Sequence, residues 1–352
     1  MHSLLENYFG LIRRFIPLKT EGSSVGLDIG SGDCKLIQIG KTVDSFELLN
    51  WAIEPVDRGD VRSAIRKMLG RLELPYKSVY TSVSGKGTLI RYIEMPRMSA
   101  EDMKKSFTIE ADKYFPFSQD QIYIDCFILD PQGKGKSMSV MAAAAKREMI
   151  DERIKLLTDL GIQTDFIGIN PVALVNGLHV LGKQIQEENG GGVTALFDMG
   201  ESVSNLTILV DGWPRFTRDI FIGGKDYTKR ISNALGIGFQ EAEELKRESG
   251  ERAEEIMNAC ESAIMNTVQE LRLSFDYFMT EKNREISQLV LTGGASMLEG
   301  VFGIFEKSLD IRVGVWDPVG LLKIPPQLSA QDIGKKSLKL GVAVGLALYQ
   351  YD

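Results

Sequence analysis

The sequence predicts an α/β protein of two similar halves, each built on a mixed sheet, with a small α+β block inserted into the first half. Three observations carry this expectation. Gly26-Leu27-Asp28-Ile29-Gly30-Ser31-Gly32-Asp33-Cys34-Lys35 joins two apolar runs through a glycine-rich tip, which reads as a β-hairpin. Leu196-Phe197-Asp198-Met199-Gly200-Glu201-Ser202-Val203 repeats the Asp-x-Gly core and its apolar flanks in the second half. Between them, from Thr88 to Asp165, the texture changes to a β-α-β-β-α block.

Composition bounds the rest. At 352 residues the chain is longer than one hydrophobic core usually serves, and 43% hydrophobic with 25% charged residues is ordinary for a globular protein. A net charge of −7 argues against broad binding to nucleic-acid phosphates, so no nucleic-acid partner is expected. Cys34, Cys126 and Cys260 are widely spaced and odd in number, which suits reduced thiols in a cytoplasm rather than a disulfide frame or zinc site. With His2 and His179 as the two histidines, a Ser-His-Asp triad or a multi-histidine metal centre is close to excluded. No apolar stretch reaches the ~20 residues that span a bilayer. The N-terminus lacks a cleavable signal pattern.

In chain order, Met1 to Thr20 has the spacing of an amphipathic helix, ended by Pro17. It docks on the body or a partner, or lies on an anionic membrane surface. The first hairpin follows, then a strand from Phe46 to Ile53, a helix from Val61 to Leu72 and a strand from Val79 to Val83. In the inserted block, Leu89 to Met95 is strand-like, and Ser99 with Asp102 marks a helix start with Met103, Phe107, Ala111 and Tyr114 on one face. Tyr123 to Leu129 and Ser137 to Ala144 are strands, and Glu148 to Leu160 is a helix. Asp165 to Ile169 rejoins the main sheet and Pro171 to Ile185 is a helix. The polar, glycine-rich Glu187 to Gly192 separates the halves. After the second hairpin come a strand from Trp213 to Ile222, helices at 226–235, 239–248 and 252–279, and a buried strand from Leu289 running into a glycine turn and a helix. Leu340 to Tyr349 reads as a buried helix.

The two hairpins carry the parts of a nucleotide-phosphate site. Glycine tips turn sharply and let backbone amides approach an anion, Lys35 adds a positive charge, and Asp28 and Asp198 are oxygen ligands suited to hydrated Mg2+. Facing each other, the hairpins would close a cleft between the halves. The strand and turn at Thr292-Gly293-Gly294-Ala295-Ser296 suit a phosphate or ribose at the following helix start.

These residues resemble the actin, sugar-kinase and heat-shock-chaperone ATPase superfamily. Asp28 to Lys35 looks like its first phosphate loop, Asp198 to Ser202 like the second, and Thr292 to Ser296 like its adenosine motif, while Glu243-Glu-Leu-Lys246 is similar to the chaperones' adenosine-holding helix. The insert, Trp213 to Gly224 and the ending Gly345-Leu-Ala-Leu348 are similar to the type IV pilus assembly PilM family, a branch related to the division protein FtsA. The resemblance implies an actin-like (ribonuclease-H-like) fold with an FtsA-type insert: N-terminal helix and linker at 1–24, a first half at 25–87, 166–190 and 331–352, the insert at 88–165, and a second half at 191–330 with a helical part near 226–288. It implies ATP or ADP with Mg2+ as cofactors. Asp28 and Asp198 would hold the metal through water. Gly30, Ser31, Gly32, Asp33, Cys34 and Lys35 would contact the β-phosphate side, and Gly200, Glu201, Ser202 and Val203 the terminal phosphate. Gly223, Gly224 and Lys225 close on the phosphates or form a plain turn. Glu243 and Lys246 would hold ribose or base, or sit on an ordinary exposed helix face. Gly293, Gly294 and Ala295 would line the adenosine. The implied role is a cytoplasmic scaffold at the inner-membrane face. It would bind the N-terminal cytoplasmic peptide of the membrane protein PilN and link it to the motor ATPases, with a homo-oligomer left open.

Two departures from the superfamily stand out. Asp33 and Glu201 place carboxylates at the loop tips, where inward pointing would repel phosphate. No histidine and no compelling Glu or Gln is evident to position an attacking water, so slow or negligible hydrolysis is expected. The alternative readings are an FtsA-like, membrane-associated, filament-forming division protein and a small-molecule kinase on the same fold.

Overall fold

The computed structural model describes residues 22–43, 45–70, 78–181, 192–326, 328, 330–334 and 336–351. The expected N-terminal amphipathic helix, the ends of the helices predicted to reach Leu72 and Ile185, and most of the 187–192 boundary lie outside the described residues.

Strand-forming runs with alternating or continuous burial assemble into three sheets. The first has the order β3 (Phe46–Pro55), β2 (Asp33–Lys41), β1 (Ser23–Ile29), β4 (Val79–Val83) and β8 (Thr164–Ile169). β1 pairs antiparallel with β2 and β2 with β3, while β4 runs parallel to both β1 and β8. The inserted β5 (Thr88–Pro96), β6 (Ile122–Ile128) and β7 (Ser137–Lys146) form a separate antiparallel sheet in the order β5-β7-β6. The third sheet orders β11 (Trp213–Ile220), β10 (Ser204–Val210), β9 (Val193–Met199), β12 (Gln288–Thr292) and β13 (Arg312–Val315). Its β9-β10-β11 stretch is antiparallel and its β9-β12-β13 stretch parallel, so it repeats the pattern of the first sheet strand for strand. β13 was not expected. It is a four-residue strand at the sheet edge, none of its residues fully buried, and so carries little hydrophobic pattern.

Helices cover these sheets. Ser99 caps the helix Ala100–Tyr114 by accepting from the Asp102 amide, as its spacing predicts. The helix Gly341–Leu348 is buried at all eight residues and packs against β1 and the helix Asn170–Leu181. Close approach demands glycine on both sides. A Cβ at Gly26 would lie 1.9 Å from the Ala343 carbonyl oxygen, and one at Gly345 would lie 1.8 Å from that of Ala173. The Asn176 amide donates to the Gly345 carbonyl at 2.9 Å, fixing the register of the two helices.

The inserted sheet touches the second half through β11. Tyr92 and Thr217 share a hydroxyl hydrogen bond of 2.7 Å, and Arg215 donates to Ser139 at 2.7 Å; just outside both strands the Lys86 ammonium lies 5.4 Å from the Phe221 ring centre.

Candidate nucleotide cleft

The two Asp-x-Gly hairpins converge. In the first, β1 and β2 register Ile29 opposite Cys34, and the Gly30 amide closes the turn on the Asp33 carbonyl at 3.1 Å. In the second, Met199 lies opposite Ser204, leaving Gly200 to Val203 as the tip. The tips meet: Ser31 Oγ donates to Ser202 Oγ at 3.0 Å, and a Cβ on Gly32 would lie 2.8 Å from Glu201 Cγ. Close packing of one tip on the other is what glycine at position 32 permits.

Below the tips lie the paired aspartates. Asp28 and Lys35 are cross-strand partners joined by a 2.9 Å ion pair. Burial alone would lower the Lys35 pKa, but the Asp28 charge and hydrogen bond, then Asp33 and Asp198, outweigh it and raise the value. The second hairpin puts Asn205, not lysine, opposite Asp198, and the Asn205 amide is turned to Asp219 at 2.5 Å. Burial, with the Asp28 charge adding to it, pushes the Asp198 carboxyl up to about 7. Gly293, at φ 88°, allows the turn after β12 to pass Asp198; a Cβ there would sit 2.3 Å from Asp198 Oδ1.

The remaining wall is a lysine-carboxylate network. Lys246 Nζ lies 2.6 Å from Glu243 and 3.9 Å from Glu201, and it donates to the Gly224 carbonyl at 2.9 Å and to Thr228 Oγ1 at 2.7 Å. Glu243 accepts from Thr228 and from Arg247. Burial would raise the Glu243 pKa, but Lys246 and Thr228 lower it overall. Glu201 is shifted the other way: burial raises it, and Lys246 offsets only part. Asp33 makes a 2.6 Å ion pair with Lys339, which more than offsets burial and holds its carboxyl below the ordinary range. The Lys339 stem also lies 3.4 Å from where a Gly294 Cβ would be, and Gly224 stands within 3.4 Å of Ala295 by the same measure. Asp33 is therefore matched by a lysine of the cleft wall, while Glu201 lies at 3.9 Å from a lysine that Glu243 already holds.

The expected site residues thus share one neighbourhood, with differences in how they face it. The Cys34 side chain is fully buried among Val25, Leu27 and Leu36, and burial, with Asp28 adding to it, raises its thiol pKa to about 12. Strand alternation turns it away from the side bearing Asp33 and Lys35, so any contact it makes to the cleft is through the main chain. Gly223-Gly224-Lys225 opens the helix Gly224–Leu235, which starts two residues earlier than expected. The amides of Gly224 and Lys225 donate to the carbonyls of Gly200 at 2.9 Å and Glu201 at 2.8 Å, so they brace the second tip. The Lys225 side chain is exposed. Glu243 and Lys246 are not on an ordinary exposed face: the Lys246 side chain is 9% exposed. The turn after β12 is a four-residue 3-10 turn, Gly294–Met297, with the next α-helix delayed to Val301. The Gly293 amide there donates to the Leu338 carbonyl at 2.9 Å.

Sequence reasoning missed Lys339 and Arg153. Arg153, on the helix Arg147–Asp159, donates to Thr81 Oγ1 at 3.1 Å and the Ser82 carbonyl at 2.7 Å, beneath the first hairpin, and burial lowers its pKa although Asp28 pulls the other way. Among the described residues no cluster of three or more His, Cys, Asp or Glu could hold a metal by itself.

The model of the family described as "Type IV pilus assembly protein PilM" matches residues 26–351. The chain belongs to the type IV pilus assembly protein PilM family. Its fold is similar to that of a PilM-PilN type IV pilus biogenesis complex, with a TM-score of 0.83 and 24% identity over 94% of this chain and 98% of that one. MreB 5 of Spiroplasma citri bound to AMPPNP aligns with a TM-score of 0.51 at 12% identity, covering 94% of this chain and 96% of that one. The ethanolamine utilization protein EutJ of Carboxydothermus hydrogenoformans aligns at 0.54 with 16% identity, covering 99% and 96%. The cell division protein FtsA of Bacillus subtilis is 24% identical over 261 residues, 64% of this PilM-family chain and 58% of FtsA, so the chain spans less than two thirds of that relative. The fold is the actin-like α/β arrangement expected from the two hairpins. No helix among the described residues is long and apolar enough to cross a membrane.

Proposed function

We propose that this PilM-family chain is a nucleotide-binding platform of type IV pilus assembly. Mg-ATP or Mg-ADP enters between the hairpins, and the N-terminal cytoplasmic peptide of PilN is the partner it presents at the inner-membrane face. The observation that carries the nucleotide part is the 3.0 Å approach of Ser31 to Ser202, two glycine-flanked tips from opposite halves aimed at one point. Ser31, Gly32, Ser202 and their neighbours would hold the phosphates, Lys35 and Lys246 would supply positive charge, and Gly293 to Ala295 would face the adenosine. The family match and the fold likeness to a PilM-PilN complex support the partner.

The donor set fits magnesium. Mg2+ is usually held by one or two carboxylates plus waters and substrate phosphates rather than by an all-protein cage. Asp28 and Asp198 are such a pair, and the raised Asp198 pKa reports a burial and repulsion that a dication would relieve. When bound, the metal would neutralise phosphate charge and fix phosphate orientation. This chain's own residues bind and orient; Asp33 is tied to Lys339, and His179 packs edge-on against Trp213 at the far end of β11. Both support a reading with weak or absent hydrolysis.

A pull-down on an immobilised PilN N-terminal peptide, with and without Mg-ATP, tests the platform. Capture of the full chain, changed by nucleotide, is expected; no capture under either condition would refute the partner. Polymers on lipid with ATP, seen by light scattering, would favour the FtsA-like reading instead.

A further inference from the structure

The ion pairs of the cleft carry a reading beyond nucleotide binding itself, resting on that proposal. Asp33 and Glu201 come from opposite hairpin tips, and each tip is where a bound phosphate would lie. Asp33 is matched by Lys339 at 2.6 Å, whereas Lys246 is held by Glu243 at 2.6 Å and reaches Glu201 only at 3.9 Å. The Asp33 pair is not a loose surface one: the side chains of Lys339 and Asp33 are 17% and 12% exposed. Both lysines belong to the cleft wall, since the Lys339 stem runs along Gly294 and Lys246 backs onto Gly224. A carboxylate presents two anionic oxygens to an ammonium much as a phosphate does.

We infer that Asp33 is an internal stand-in for nucleotide phosphate, occupying the cation of the cleft wall that a phosphate would use, and that Lys339 is a nucleotide-binding residue freed by its displacement. The cations needed by the phosphates are already in place and already taken. Nucleotide therefore binds by exchange, one anion for another on Lys339, and its affinity is set by how firmly the first tip holds that lysine. The exchange also explains how an acidic first tip is compatible with a phosphate site: Asp33 neutralises a largely buried lysine.

Titration calorimetry of Mg-ATP on the full chain, with thermal melting of each variant without nucleotide, tests this. Asp33→Asn keeps shape and removes the competing charge. It is expected to tighten the ATP Kd by about tenfold, the low end for a hydrogen bond to a charged group, while lowering the melting temperature without nucleotide. Lys339→Ala should weaken binding by about tenfold and Lys339→Arg should stay near wild type. Melting lowered with ATP affinity unchanged or weaker in Asp33→Asn would show the pair to be structural and overturn the inference. If Asp33→Asn does not fold, the Lys339 pair of variants decides: equal affinities for Ala and Arg overturn it. No ATP binding by any of these proteins would sink the nucleotide reading together with it.

Discussion

Asp28 and Asp198 hold equivalent places in their hairpins and differ in what stands across the strand. Lys35 neutralises Asp28 directly, whereas Asn205 leaves Asp198 to bear burial and the charge of Asp28. The consequence is a pH dependence whose sign can be worked out. Below the ordinary value of 3.8 Asp198 is protonated in both folded and unfolded chains; between 3.8 and about 7 the folded chain keeps the proton and the unfolded chain loses it. Stability from this group is therefore lost as pH rises through that window and stays low above it. Asp198→Asn in metal-free buffer should melt increasingly above wild type as pH goes from 4.5 to 8; a constant difference across that range would contradict the assignment. Both aspartates were legible because their Asp-x-Gly settings repeat. Lys339 and Arg153 were not, because no spacing rule links Lys339 to Asp33 across 306 positions or Arg153 to Thr81 across 72.

At the scale of elements, the helix Gly341–Leu348 is the piece most constrained by its neighbours. It is apolar on every side, so periodicity could not assign it a face, but its Gly-Ala content implied burial, and burial is complete. The glycine positions are where its backbone nearly touches a strand, at Gly26, and a second helix, at Gly345. Gly345→Val should destabilise the chain by about 3 kcal/mol or more, the upper range for overpacking, because the obstacle is the Ala173 backbone carbonyl and not a movable side chain. Gly303→Ala, where a Cβ meets nothing within 4 Å, is the control and should leave the urea midpoint nearly unchanged or raise it. Strand β12 was readable from its continuous Leu289-Val290-Leu291 and β1 from the alternation of Val25, Leu27 and Ile29; β13 was not, since a four-residue edge strand needs no such run.

Across the whole molecule, the repeated sheet order makes each half a copy of the other in plan, and the cleft is where the copies face. The duplication was visible in the sequence through two hairpins; the way the tips meet was not, because it depends on a Ser31–Ser202 hydrogen bond across 171 positions and on Gly32–Glu201 packing. With Asp33 tied to Lys339 and His179 packed edge-on against Trp213, turnover by the full chain with Mg-ATP should stay below roughly 10⁻² s⁻¹, the scale of slow intrinsic nucleotide hydrolases. Phosphate release measured over hours checks this, and a rate above that scale would contradict the expectation of weak or absent hydrolysis. β11 gives the molecule a further property. Its last residues lead into the glycines that grip the second tip, while Arg215 and Thr217 hold the inserted sheet. One continuous strand thus joins the brace of the second tip to the seat of the inserted sheet under Tyr92 and Ser139.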